Sequence, residues 1–326
     1  MNKVLVIGAS GFLGSHVTRQ LAEQGRDVRI LVRASSDTGT TDGLDIERLR
    51  GDVFDPDCLA DAMRDCDVVY YCVVDTRAWL RDPAPLYKTN VDGLKTVLDV
   101  ALKSDLKKFV YTSTFGTIGR REDGRSTEAD AFNWYDDAPD YIRCRVDAEN
   151  LFLTYCKEKN LPGVACCVGN TYGPGDSAPT PHGDLVRQVA LGKMPFYWHG
   201  GGPSLGIADA ARGMLAAEKS GRVGERYIFA ERWVSFKELF EMAAEAAGTK
   251  APALGVPDWL LYTMAAIFGL IASIRGRDSK MSVASIKCSK MLPDVDSTLA
   301  QKTLAWTPKP IEESVGEAVA YYLKKD

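Results

Sequence analysis

The chain opens on a β-rich run, Val4-Leu5-Val6-Ile7, that passes directly into Gly8-Ala9-Ser10-Gly11-Phe12-Leu13-Gly14. A stretch placing Val17, Leu21 and Ala22 on one helical face follows, and after Gly25 comes a second apolar run, Val28-Arg29-Ile30-Leu31-Val32. Strand, glycine turn, helix and strand within about thirty residues form a βαβ unit. Its crossover requires parallel strands, a right-handed connection and a buried sheet.

Glycine has a separate physical task at each position of the turn. Gly8 permits a tight turn, Gly11 lets backbone amides approach a diphosphate, and Gly14 lets the helix pack close to the strand. The helix N-terminus then directs its free amides at the anion. This arrangement suits a dinucleotide, with Ser10, Phe12 and Leu13 in the same turn; the plainer alternative is a glycine-rich turn without a ligand. Further strands near 46–50, 68–73, 108–112 and 163–168 alternate with helical patterns. The expected fold class is α/β, a doubly wound parallel sheet of Rossmann type. Loops at Gly200-Gly201-Gly202-Pro203 and from Pro252 to Pro257 break that rhythm.

Composition narrows the class of partner. At 326 residues, 45% hydrophobic and 26% charged, the chain suits one large globular domain or two closely joined lobes, and collagen, disorder and coiled coil are excluded. A net charge of −4 leaves no basic excess for a phosphate backbone, so nucleic acid is not an expected partner. The 8 cysteines include no Cys-x-x-Cys pair and only 3 histidines accompany them, which points to reduced core thiols and no metal site. The run from Val4 to Ile7 is strand length and lies close to Met1, so no secretory signal is expected and the chain reads as cytoplasmic.

Several motifs occur in a telling order: the glycine turn, Gly51-Asp52-Val53 after the third strand, Asn90-Val91-Asp92-Gly93, Phe109-Val110-Tyr111-Thr112-Ser113-Thr114, Tyr141 with Arg145, and Asn170-Thr171-Tyr172-Gly173-Pro174-Gly175. With them the chain resembles the extended short-chain dehydrogenase/reductase superfamily over nearly its whole length. Within it the chain looks most like the branch of dihydroflavonol reductases and 3β-hydroxysteroid dehydrogenases. The resemblance implies a dinucleotide-binding domain over 1–168, to which the chain around 204–230 returns, and a smaller, mainly substrate-binding lobe over 169–326. It also implies a homodimer or a monomer.

The residue ending the second strand meets the adenosine ribose, where an acid favours NAD and an arginine pairs with a 2′-phosphate. Here the pair is Val32-Arg33, with Ser35 and Ser36 nearby, so NADP(H) is favoured over NAD(H). The alternative is a solvated strand-end arginine. By resemblance, Asp52 and Val53 meet the adenine edge, Cys72 and Val73 lie above the cofactor, and Asn90 fixes the active-site backbone. Val168 and Asn170 fall near the nicotinamide, and Val168 departs from the proline many relatives carry there, which adds a backbone N–H.

In the resembled superfamily a tyrosine hydroxyl exchanges a proton with the substrate oxygen while hydride moves at the nicotinamide. A neighbouring Ser or Thr holds the oxygen, and a lysine four residues after the tyrosine lowers its pKa. Tyr141 and Arg145 have that spacing, with arginine in place of lysine, and an i, i+4 pair shares one helix face. A charge about 5 Å from the phenol at an effective dielectric of about 20 favours tyrosinate by about 3 kcal/mol, or about two pKa units. Guanidinium cannot join a proton relay, so carbonyl reduction should tolerate the change better than alcohol oxidation. Thr114 stands where the oxygen-holding hydroxyl belongs, with Ser113 the runner-up. The expected activity is reduction of a ketone or aldehyde on a hydrophobic small molecule of steroid, polyketide, terpenoid or aromatic type. Two alternatives stand: a cofactor-binding protein without redox turnover because of Arg145, and a nucleotide-sugar epimerase or dehydratase.

Trp259 to Ile274 carries no charge and is followed by Arg275-Gly276-Arg277. The run is too short to span a bilayer. The segment 257–275 is a buried helix, a lid over an apolar pocket, or an interfacial helix making peripheral membrane contact. Trp79, Trp134, Phe196, Tyr197 and Trp198 either line the pocket or pack in the core. His182 and His199 read as loop or packing histidines.

Overall fold

The computed structural model of the protein describes residues 3–325. Its strands are β1 (Lys3–Ile7), β2 (Val28–Val32), β3 (Glu47–Arg50), β4 (Cys66–Tyr71), β5 (Lys108–Thr114), β6 (Gly163–Val168), β7 (Asn170–Tyr172), β8 (Phe196–Trp198), β9 (Gly201–Gly206), β10 (Arg226–Phe229), β11 (Arg232–Ser235) and β12 (Leu254–Val256). Its helices are α1 (Phe12–Glu23), α2 (Pro56–Met63), α3 (Ala84–Tyr87), α4 (Gly93–Ala101), α5 (Asp140–Lys159), α6 (Pro181–Ala190), α7 (Ile207–Ser220), α8 (Phe236–Ala247), α9 (Asp258–Ile274), α10 (Val283–Met291), α11 (Thr298–Leu304) and α12 (Ile311–Lys325).

Seven strands in the order β10-β6-β5-β4-β1-β2-β3 form one parallel sheet. Every residue of β2 and β6 is buried, as strands covered on both faces require. Alternation divides the side chains: Val4, Val6 and Ile30 join α1, α7 and α11 on one face, while Leu5, Ile7 and Leu31 join α2, α4 and α5 on the other. Arg29 survives inside β2 because its guanidinium donates to the carbonyls of Ala62 at 2.9 Å and Arg64 at 2.7 Å and pairs with Glu47 at 2.8 Å. Strand order reverses between β1 and β4, which opens a crevice at the carboxyl ends of the strands.

The second lobe has its own core, in which α6, α8 and α12 pack around Tyr172, Val186, Phe240, Val315 and Val319. The segment 204–230 divides at Ile207. Its first residues complete β9 in a small sheet of order β11-β9-β7, and α7 and β10 then return to the large sheet. The chain crosses back again further on: α11 packs against α7, and Trp306 meets Phe229 edge-on at 5.0 Å. Phe196, Tyr197 and Trp198 form β8 and pack within the second lobe, Trp198 lying 4.7 Å from Phe236.

For α9 the structure corrects the buried-helix reading. Only Leu261 and Ala265 are buried in it, whereas Trp259, Ile267, Phe268, Leu270, Ile271 and Ile274 are exposed. An apolar run without charge breaks records hydrophobicity and says nothing of what covers it. No helix among the described residues is long and apolar enough to cross a membrane.

Candidate active site

The glycine turn lies at the carboxyl end of β1, at the crevice. Gly8 has φ +89°, which only glycine adopts without strain, and a Cβ there would come within 2.9 Å of the Cys72 carbonyl carbon. A Cβ on Gly14 would lie 2.2 Å from the Gly8 oxygen, so the close packing of α1 on β1 depends on its absence. Gly11 differs: within 4 Å its absent Cβ would meet Gly8 O alone, at 3.3 Å. The space above it is open, and the first-turn amides of α1 have no intrahelical acceptors. These features fit the diphosphate of a dinucleotide, with Ser10, Phe12 and Leu13 along the same turn. A second loop braces the turn, since His16 Nε2 bonds the Pro174 carbonyl at 2.8 Å. Burial lowers the His16 pKa, so its neutral ring donates there.

At the adenosine end, Arg33 is exposed just beyond β2. The Asp52 carboxylate accepts from the Phe54 amide at 3.1 Å, and Val53 packs near Gly93. At the other end, Cys72 donates its amide to Ile7 O at 2.8 Å. Its thiol receives the Thr112 hydroxyl at 3.5 Å, and burial pushes it up to about 12. Val73 follows, half-buried. Asn90 is buried within a π-helical turn, Lys88–Asp92. Its side chain accepts from the Asp75 amide at 2.8 Å and donates to the Asp75 carbonyl at 3.1 Å, fixing the loop after β4. Across the crevice, Val168 pairs in register with Thr114, and the Asn170 amide lies over Gly202.

Tyr141 and Arg145 stand one turn apart at the start of α5. Tyr141 packs against a cluster of Trp134, Ala138, Ile142 and Val146 that Phe132, Cys288, Met291 and Leu292 also border, an apolar wall drawn from both halves of the chain. Here the expected depression of its pKa needs correction. Burial raises the phenol above its ordinary value, and the nearby Arg145 charge opposes that rise without reversing it. Arg145 is 1% exposed; its Nη2 donates to the Thr112 carbonyl at 2.7 Å, its guanidinium lies 5.8 Å from the Tyr111 ring, and its Nε has no partner. Burial works against the guanidinium's charge, while Tyr111, Tyr141, Cys144 and Tyr71 favour it and carry its pKa upward.

Thr114 ends β5 in an extended conformation and its Oγ1 accepts from the Gly116 amide at 3.2 Å. A Cβ on Gly116 would touch Ile142 at 3.0 Å and lie 3.6 Å from that Oγ1, so Thr114 borders the first turn of α5. Ser113 points to the other face of the sheet. Its hydroxyl donates to Glu149, which also accepts from Thr117 at 2.9 Å and from the Cys167 thiol at 3.4 Å, and pairs with Arg226 at 3.1 Å. Ser113 therefore belongs to a buried network joining β5, α5, β6 and β10, apart from Thr114. Alternation along a strand is the signal that separates the two hydroxyls. No local pattern announces the Glu149–Arg226 pair, whose members are 77 residues apart.

Among the aromatic candidates, Trp134 joins the Tyr141 wall beneath Arg120, whose guanidinium lies 3.9 Å from its ring. The His182 ring accepts from the Thr171 amide at 3.3 Å and packs on Tyr172, while His199 is exposed. The cysteines at 58, 66, 72, 144, 156, 166, 167 and 288 are all unpaired thiols. No group of three or more His, Cys, Asp or Glu among the described residues is arranged to hold a metal ion.

Comparison with known proteins agrees with this geometry. A Synechocystis sp. protein named "Putative dihydroflavonol 4-reductase" is 29% identical over 97% of this chain and 93% of its own length. "Sterol demethylase protein B" of Methylococcus capsulatus is 25% identical, with 98% of each chain covered. The crystal structure of gox2253 superposes with a TM-score of 0.87 and 31% identity, covering 100% of this chain and 99% of the other. The family model for the NAD dependent epimerase/dehydratase family matches residues 4–229. The parallel sheet with its flanking helices is that of an extended short-chain dehydrogenase/reductase, and the chain belongs to the NAD dependent epimerase/dehydratase family.

Proposed function

We propose that the protein is an NADP(H)-dependent reductase of a ketone or aldehyde on a hydrophobic small molecule. The observation that carries this reading is the setting of Tyr141: a half-buried side chain whose phenol burial keeps neutral, on an apolar wall shared with Phe132, Trp134, Met291 and Leu292. Reduction needs the protonated phenol, and an apolar wall suits a lipophilic carbonyl compound. The Synechocystis relative is named a reductase, and the name of the Methylococcus relative refers to a sterol, a lipophilic molecule.

The turn from Gly8 to Gly14 would hold the diphosphate, and Arg33 would pair with the 2′-phosphate that distinguishes NADP from NAD. When bound, the dinucleotide supplies the hydride. Tyr141 Oη gives its proton to the carbonyl oxygen, Thr114 Oγ1 holds that oxygen, and solvent returns the proton. Arg145 fixes positive charge beside the phenol without taking part in the transfer.

The test is NADPH oxidation by the purified protein across a panel of lipophilic ketones and aldehydes, with NADH and Tyr141→Phe in parallel. The expected result is turnover preferring NADPH and falling about 10²–10⁴-fold in the variant. A second reading, cofactor binding without redox turnover, is favoured by one observation: Arg145 spends its Nη2 on the Thr112 carbonyl inside the protein. Tight NADPH binding with no turnover on the panel would support it. The nucleotide-sugar alternative is less favoured, because Thr114-Phe115-Gly116 lacks the acid pair a dehydratase uses.

A further inference from the structure

We infer that α9 and the basic segment after it dock the protein on the surface of an anionic lipid bilayer. The exposed side chains of α9 are ordered: Trp259 (70% exposed), Ile267 (53%), Leu270 (63%) and Ile274 (77%) recur at helical spacing along one face. Ile271 widens that face, and no charge interrupts it from Trp259 to Ile274. At about 1.5 Å per residue the helix is too short to cross a bilayer, but it can lie along one with this face among the acyl chains.

Charge selects the occupant. Residues 275–290 hold Arg275, Arg277, Lys280, Lys287 and Lys290 against the single acid Asp278, in a chain of net charge −4. Arg275 and Arg277 are exposed where the apolar face ends. Basic side chains bordering an apolar helix complement anionic headgroups. On a second copy of this chain, of net charge −4, the strip would find among the described residues no exposed apolar helix other than α9 itself to engage.

The docking face is continuous with the candidate active site. Arg81 donates to Ser273 Oγ at 2.6 Å and to Asp278 Oδ1 at 3.3 Å, tying α9 to the loop that Asn90 anchors. Lys280 lies 5.8 Å from the Trp79 ring, and further along the segment Cys288, Met291 and Leu292 border the same apolar cluster as Tyr141. A molecule dissolved in the bilayer would then reach the crevice without crossing water. That delivery step rests on the proposed reductase reading; the docking itself does not.

The experiment is co-sedimentation of the full chain with phosphatidylcholine vesicles, with and without phosphatidylglycerol, alongside light scattering of the protein alone. Wild type should partition at least about tenfold more strongly onto the anionic vesicles. Ile267→Glu with Leu270→Glu should abolish binding to both, and Arg275→Glu with Arg277→Glu should remove the anionic preference, each with NADPH affinity unchanged. Equal or absent binding to the two vesicle types would overturn the inference. So would a dimer in solution that ignores vesicles and falls to monomers in the Ile267→Glu, Leu270→Glu variant, which would assign the face to self-association. Vesicle binding without turnover on any carbonyl would sink the reductase reading alone.

Discussion

Arg145 is a buried guanidinium four residues after Tyr141, where the resemblance implies a lysine, and its difference from lysine concerns proton traffic more than charge. Restoring the amine in Arg145→Lys introduces a group whose pKa burial lowers, so it can pass a proton at neutral pH. Alcohol oxidation should then gain about tenfold or more while ketone reduction changes less, read from kcat in both directions. Wild type has a corresponding pH signature. On the proposed reductase reading protonated Tyr141 is the competent form, and burial raises its pKa. The reductive rate should therefore stay level through neutral pH and decline only beyond the ordinary tyrosine range. On the NADP(H) reading, Arg33→Ala should raise KM for NADPH about tenfold and leave that for NADH unaltered, because it would remove a charge-assisted contact to the 2′-phosphate that NADH lacks. The Tyr141–Arg145 spacing was legible because four residues on a helix mean one face wherever the helix sits. The sign of the phenol's shift was not, since it depends on residues around 288–292 that no local spacing links to Tyr141.

Elements were most legible where a local period coincides with a long-range constraint. The βαβ opening is such a case, and Gly14→Ala tests it: a methyl group 2.2 Å from a carbonyl oxygen must push α1 away from β1. Overpacking of this kind costs about 1–3 kcal/mol, so denaturant melts should show that loss together with weaker dinucleotide binding. The far end of the large sheet was less legible because it is held by partners distant in sequence. Glu149 on α5 pairs with Arg226 on β10 while accepting from Ser113 on β5. Removing the carboxylate in Glu149→Ala takes away the ion-pair partner of a largely buried guanidinium, which keeps only the Glu128 and Asp130 carbonyls, at a cost of about 3–5 kcal/mol by urea unfolding. Replacing both members with apolar residues should recover most of that stability, which separates the pair's electrostatics from simple loss of volume. The orientation of α9 was illegible for another reason: its composition is apolar all round, so periodicity could not distinguish a covered face from a bare one.

At the scale of the molecule the two lobes are interleaved, and α7, β10 and α11 carry the second half of the chain back to the first lobe. Return of the chain near 204–230 followed from resemblance; the later crossing at Trp306 had no pattern to announce it. Two histidines brace the loop between the lobes. His16 on α1 bonds the Pro174 carbonyl, with Arg19, Glu23 and Glu317 as its charged neighbours, and His182 accepts from the Thr171 amide near Asp176. Burial lowers the pKa of both rings, so the native state keeps them neutral while the unfolded chain binds protons near pH 6.5. The unfolded state then holds more protons as pH falls below that value. The stability these histidines contribute is full above about pH 6.5 and is lost as pH falls towards their depressed native values. Each adds at most about 1.4 kcal/mol per pH unit to the slope. His16→Gln can keep a donor to the Pro174 carbonyl but cannot titrate. Urea titrations from pH 7 to 5 should show a shallower fall in unfolding free energy for this variant than for wild type. An unchanged slope would mean that His16 takes up protons alike in the native and unfolded states and that the brace between the lobes does not depend on a neutral ring.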